Sequence, residues 1–141
     1  MIKLLLPVDG SESANRAVRH LIALSRGGQP AELHLLNVRP PMDAWEVRRF
    51  LTEEEIAQTQ RDEGEADLQS ACALLDAAGL PYDIRIEVGP VAQTIAHAAV
   101  DLGCDAIVMG THGRGGLASL FLGSVATKVV HLTSMPVTLV R

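Results

Sequence analysis

Tyr82-Asp83-Ile84-Arg85-Ile86-Glu87-Val88 alternates apolar and charged side chains without a break. Successive side chains of an extended strand point to opposite faces, so the segment predicts a strand that is apolar on one face and polar on the other. Such a strand belongs at the rim of a sheet whose interior strands are covered on both sides. Ile2–Val8, centred on Leu4-Leu5-Leu6, and Cys104–Met109, with Ala106-Ile107-Val108-Met109, read as interior strands. Ala31–Val38 and Pro136–Val140 complete a set of five.

Helical spacing fills the gaps. Ala14, Ala17, Val18, Leu21 and Ile22 follow the first strand, with Ser11 or Ser13 as N-cap. Thr52 and Glu55 have capping-box spacing and open a long helix whose inner face is marked by Ile56, Leu68, Cys72 and Leu75 and which stops at Gly79. Val91–Leu102 and Val125–Leu132 are the remaining helices, and residues 39–51 read as irregular and mobile. Strand and helix alternating throughout imply a parallel sheet with helices on both faces. The flavodoxin-like order 2-1-3-4-5 would put the polar third strand at the centre, whereas 3-2-1-4-5 puts it at the rim. The expected fold is therefore α/β: one Rossmann-like domain over 1–141, an open five-stranded parallel sheet of order 3-2-1-4-5. Ligands bind such sheets where the winding reverses, beyond the C-terminal ends of the strands. Here the loops 7–11 and 110–124 meet at that point.

Composition narrows the function. A chain 48% hydrophobic and 21% charged is globular, and a net charge of −5 argues against general nucleic-acid or anionic-membrane binding. No apolar run reaches membrane-spanning length, and Ile2–Val8 is too short for a secretory signal, so a cytoplasmic location is expected. Cys72 and Cys104 stand too far apart for a CxxC motif and read as small core residues. The acids are unevenly placed: after Asp105 there is none, while Arg114, Lys128 and Arg141 follow.

That acid-free stretch contains Gly110, Gly113 and the Gly123-Ser124 pair, between a strand and a helix. Glycines allow backbone N–H groups to approach a ligand closely, and a helix start offers unpaired donors and partial positive charge. Together they read as a phosphate site. It is not a Walker A loop, since Gly-Lys-Ser/Thr is missing. Gly113-Arg114-Gly115-Gly116-Leu117-Ala118 mimics a dinucleotide fingerprint but follows the fourth strand and lacks the downstream acid. No acidic cluster after strand one and no lysine after strand five leave no receiver-type site. Only four aromatic residues, with Phe121 alone in the two loops, argue against a flavin.

Nearly the whole chain resembles a universal stress protein domain, in the ATP-binding branch of that family, with its adenine nucleotide alpha hydrolase-like fold. The resemblance is carried by Leu6-Pro7-Val8-Asp9-Gly10-Ser11, by Leu35-Leu36-Asn37-Val38, by 108–116, by Leu122-Gly123-Ser124-Val125 and by Pro136–Val140. It implies a nucleotide site of Pro7, Val8, Asp9, Val38, Met109, Gly110, His112, Gly113, Arg114, Gly115, Gly123, Ser124, Val125 and Ala126. Asp9 would lie near the ribose or metal-bound phosphates, and Val38 would meet the adenine edge through its backbone. The three glycines would let the loop close on the triphosphate. Ser124, with the N–H groups of Ser124 and Val125, would bind the terminal phosphates, and Arg114 would add charge. Each has a plainer reading: a turn and helix cap at Asp9 and Ser11, tight packing at Gly123, an N-cap at Ser124.

The implied ligand is ATP, with Mg2+ or Mn2+, and cyclic AMP is the alternative. His112 is the loop's one histidine and reads as a phosphate-side donor or a solvent-facing residue, and only weakly as a group to orient water. Trp45, Arg48 and Arg49 read as loop surface and a dimer-side contact rather than a flap over the base. The apolar edge strand Pro136–Val140 calls for cover, and pairing with the same strand of a second copy gives a homodimer. Hydrolysis needs a group to orient water on the terminal phosphate, and the loop holds no carboxylate or glutamine for that task. The expectation is a regulatory or stress-response module with slow ATP hydrolysis at most. The alternatives are a nucleotide-dependent enzyme, either ATPase or transferase, and an interaction domain with a vestigial pocket.

Overall fold

Leu4, Leu5 and Leu6 are all buried although alternate residues of a strand face opposite ways, so their strand is covered on both sides. In the computed structural model, which describes residues 1–28, 31–42, 44–113 and 122–141, this strand is β1 (Ile2–Pro7). It is followed by α1 (Glu12–Ser25), β2 (Ala31–Arg39), α2 (Trp45–Phe50), α3 (Glu53–Ala77), β3 (Asp83–Val88), α4 (Val91–Asp101), β4 (Ala106–Gly110), α5 (Ser124–Leu132) and β5 (Val137–Val140). The five strands form one parallel sheet in the order β3-β2-β1-β4-β5. The polar strand lies at the rim.

Two apolar clusters hold the layers together. Leu4, Leu6, Leu33, Leu35 and Val108 pack on one face against α1 (Ala14, Ala17, Val18, Leu21) and α3 (Leu68, Ala71, Leu75). Leu5, Leu36, Ile107 and Met109 pack on the other against α4 (Ala92, Ile95, Ala98, Ala99) and α5 (Ala126, Val129). Cys104 is buried in the second cluster and Cys72 packs, partly buried, against the first. On β3, Ile86 packs against the first cluster beside Gly64, whereas Ile84 and Val88 are exposed.

The helix starts follow local chemistry. Ser11 Oγ accepts from Ala14 N at 3.1 Å and is the N-cap of α1. Thr52 Oγ1 accepts from Glu55 N at 3.1 Å and donates to Glu55 Oε1 at 3.2 Å, so the capping box opens α3. One expectation needs correction. Part of the irregular stretch 39–51 is helical: α2 spans Trp45–Phe50, has no buried residue, and stacks Arg49 4.7 Å from the Trp45 ring centroid.

Candidate functional site

The crevice exists because β1 and β4 part company. They are paired only at Leu4↔Ala106 and Leu5↔Ile107, after which β4 continues beside β5 as far as Gly110↔Val140. β1 ends at Pro7 and the chain turns away. Gly10 takes φ 83°, a left-handed conformation that suits glycine, and Asp9 Oδ1 accepts from Ser11 N at 3.0 Å. The plain turn role of Asp9 is therefore real, and Asp9 lines the crevice as well.

On the other side the glycine-rich loop is clamped at its neck. Thr111 N donates to Val140 O at 3.2 Å, extending the β4–β5 ladder, and Thr111 O accepts from Gly123 N at 2.7 Å. His112 N donates to Ser13 Oγ at 3.1 Å, and His112 Nδ1 lies 2.9 Å from Thr111 Oγ1. Ser13, an alternative cap in the sequence, is instead a buried anchor for the loop.

The glycines serve different ends. A Cβ on Gly110 would overlap Ser13 Oγ and come within 2.6 Å of the Ser13 backbone, so this glycine admits α1 against β4. At Gly113 a Cβ would lie 2.8 Å from Asp9 Oδ2, and at Gly123 3.0 Å from Thr111 O and 3.2 Å from the His112 Cα. Gly123 also occupies the N-cap of α5 with no side chain to cap it. Thr127 N to Gly123 O, 3.0 Å, is the first helical bond, so the N–H groups of Ser124, Val125 and Ala126 precede the ladder. These three residues line the crevice, which gives it a donor-rich, electropositive end.

The opposite end is apolar. Leu36, Val38, Val91, Ile95 and Met109 line it, and the whole cavity measures about 600 Å³, the size of a small-molecule site. Of the residues expected at the site, all line this one cavity except Arg114 and Gly115, which lie outside the described residues. Trp45, Arg48 and Arg49 are not in its lining.

The sequence reading missed several lining residues. Val91 and Ile95 stand four apart on α4, and that spacing alone signals an inward face but not a ligand. Thr111 was inside the motif yet unassigned. Arg39, Pro40 and Asp67 were invisible, because α3 reaches the end of β2 only through the fold. There Asn37 Nδ2 donates to Val8 O at 2.8 Å and to Asp67 Oδ2 at 3.3 Å. Arg39 Nη1 donates to the same Asp67 oxygen at 2.6 Å, and its Nη2 meets Glu63 Oε2 at 3.0 Å. Asn37 is 1% exposed and Asp67 6%. Among the described residues, Asn37 Oδ1 and Arg39 Nε are buried without a hydrogen-bond partner. No group of three or more metal-binding side chains occurs among the described residues, and no helix there is long and apolar enough to cross a membrane.

Comparison with known proteins agrees with this fold. The model of the universal stress protein family matches residues 1–141. A universal stress protein of Thermus aquaticus is 35% identical over 139 residues, spanning 98% of this chain and 97% of the relative. The solved structure of the protein MJ0577, a universal stress protein of Methanocaldococcus jannaschii, superposes with a TM-score of 0.83 at 31% identity, covering 99% and 94% of the two chains. A universal stress protein solved in complex with cAMP has a TM-score of 0.72 over 99% and 97% of the chains, and at 23% identity shares the fold.

Proposed function

Because the chain belongs to the universal stress protein family, we propose that its crevice binds an adenine nucleotide, ATP foremost, and that the bound ligand sets the state of a regulatory module. The observation that carries this reading is the start of α5, with glycine at its N-cap, facing one end of a cavity whose other end is apolar. Phosphates suit the first and a flat base suits the second. Gly113 and Gly123 keep the neck bare of side chains, and Arg114 and Gly115 belong to the same loop. Asp9 lies beside the neck, where it meets the ribose or a divalent ion such as Mg2+ or Mn2+ carried by the phosphates.

The base end also has a built polar edge. In a parallel ladder alternate residues of a strand point to one neighbour. Leu36 O receives Val8 N on the β1 side, and Arg39 O receives Gly89 N on the β3 side. Val38 therefore turns its N–H and C=O toward β1, which ended at Pro7. A donor beside an acceptor matches the ring nitrogen and amino group of adenine and mismatches the reversed pattern of guanine.

Titration calorimetry and thermal shift with ATP, ADP, cAMP and GTP test the assignment. At one hundred times the dissociation constant, ATP should stabilise by about 2.7 kcal/mol. For a chain of this size that is roughly 5–10 °C in Tm. Absence of any shift at millimolar nucleotide would leave an interaction domain with a vestigial pocket. Turnover should stay under roughly one per minute, far below the usual enzymic range. The protein acts in the cytoplasm, as a homodimer joined through β5.

A further inference from the structure

Resting on that reading, we propose that Asn37 is a positioning residue that keeps the Val38 amide open to the base. Val8 N continues the β1–β2 ladder to Leu36 O at 2.8 Å, and the next bond of a regular parallel ladder would join Val38 N to Val8 O. Among the described residues that backbone bond is not formed. The Val8 carbonyl instead receives the Asn37 side-chain amide at 2.8 Å. By taking that acceptor, Asn37 stops the ladder one bond early and leaves a backbone donor on the crevice wall.

The amide has one sensible orientation. Its Nδ2 faces two oxygens, Val8 O and Asp67 Oδ2, and the flipped form would set acceptor against acceptor. Arg39 Nη1 fixes Asp67 in turn. Room for the group comes from Gly64, where a Cβ would lie 3.1 Å from Asn37 Oδ1. Burying an amide whose oxygen has no partner is costly, and an apolar residue would suit a strand face that also carries Leu33 and Leu35. The arrangement makes sense as the means of ending a ladder at a binding site.

The test compares wild type with Asn37→Leu by amide hydrogen exchange at Val38 and by calorimetry with ATP and GTP. In wild type the Val38 amide should exchange readily without ligand and become protected with ATP. In Asn37→Leu it should be protected without ligand, because the ladder closes. ATP affinity should then fall on the order of tenfold, the scale of one lost hydrogen bond, and the preference over GTP should narrow. Residue Asn37→Ser, too short to reach Val8 O, gives the same comparison if the leucine variant does not fold. A merely structural Asn37 would lower Tm and leave Val38 exchange and ATP affinity of the folded protein unchanged, which overturns the proposal. So would a Val38 amide already protected in ligand-free wild type. If wild type binds neither nucleotide, the functional reading falls, and Val38 exchange in the two ligand-free proteins alone decides Asn37: unequal supports it, equal overturns it.

Discussion

Gly110, Gly113 and Gly123 look interchangeable in sequence, and their neighbours separate them. Gly110 meets the backbone of Ser13, which cannot step aside, so Gly110→Ala should destabilise the fold by about 1–3 kcal/mol in urea denaturation. At Gly113 the nearest atom is the end of the Asp9 side chain, so Gly113→Ala should change stability by less than about 1 kcal/mol. It should nevertheless weaken ATP binding, because Asp9 must swing away from its place beside the neck. Calorimetry on both variants reads the contrast; equal loss of stability would mean that the Asp9 side chain is held as firmly as backbone. Glycine spacing marked the loop as a candidate phosphate site, but not which glycine serves packing. That depends on α1 lying against β4, a contact between residues about a hundred apart in sequence. Asp67 was hidden for the same reason.

Elements were legible where periodicity and caps agree. The alternation at 82–88 placed β3 at the rim, and the Thr52–Glu55 box opened α3 where expected. Removing that cap with Thr52→Ala should cost about 0.5–2 kcal/mol of stability, measured by thermal or urea unfolding. α2 was missed because six residues with no buried face carry no helical period. At the base of the sheet Glu32 ties β2 to β1, meeting His34 Nε2 at 3.0 Å and Lys3 Nζ at 3.1 Å. Those partners, His34 first and Lys3 next, hold the Glu32 carboxyl below its ordinary value of 4.5. A depressed acid stabilises the fold above its unfolded pKa and loses that contribution as pH falls through the folded one. Stability should therefore drop as pH is lowered below about 4.5, and Glu32→Gln should flatten that part of the acid limb in urea titrations. An unchanged acid limb would show that the two Glu32 contacts add nothing.

At the scale of the whole molecule, charge and edges point to self-association. The acids all precede residue 106, so β5 and α5 carry none of their own to repel a second copy. Among the described residues β5 is the last strand of the sheet and pairs only with β4. Pro136 O and Val140 O both accept from the β4 side, so by alternation Val137 and Leu139 turn their backbone groups outward. An edge of this kind is ordinarily covered, and antiparallel pairing with its own copy satisfies both outward residues under two-fold symmetry. The Thr111–Val140 bond links that edge to the neck of the glycine-rich loop, so in the proposed dimer a ligand gripping the loop would steady the strand that joins the copies. Sedimentation should show a species of twice the 15.0 kDa chain mass at micromolar concentration, tightened by ATP. Thr138 is exposed on β5, and Thr138→Lys would set like charges near each other across the two-fold without touching the β4 ladder. That variant should shift the equilibrium toward the monomer while its Tm, read at concentrations where both proteins are monomeric, stays within about 1 °C of wild type. A wild-type protein that sediments as a 15.0 kDa species with and without ATP would remove β5 as the joint and leave its edge to be covered by some other partner.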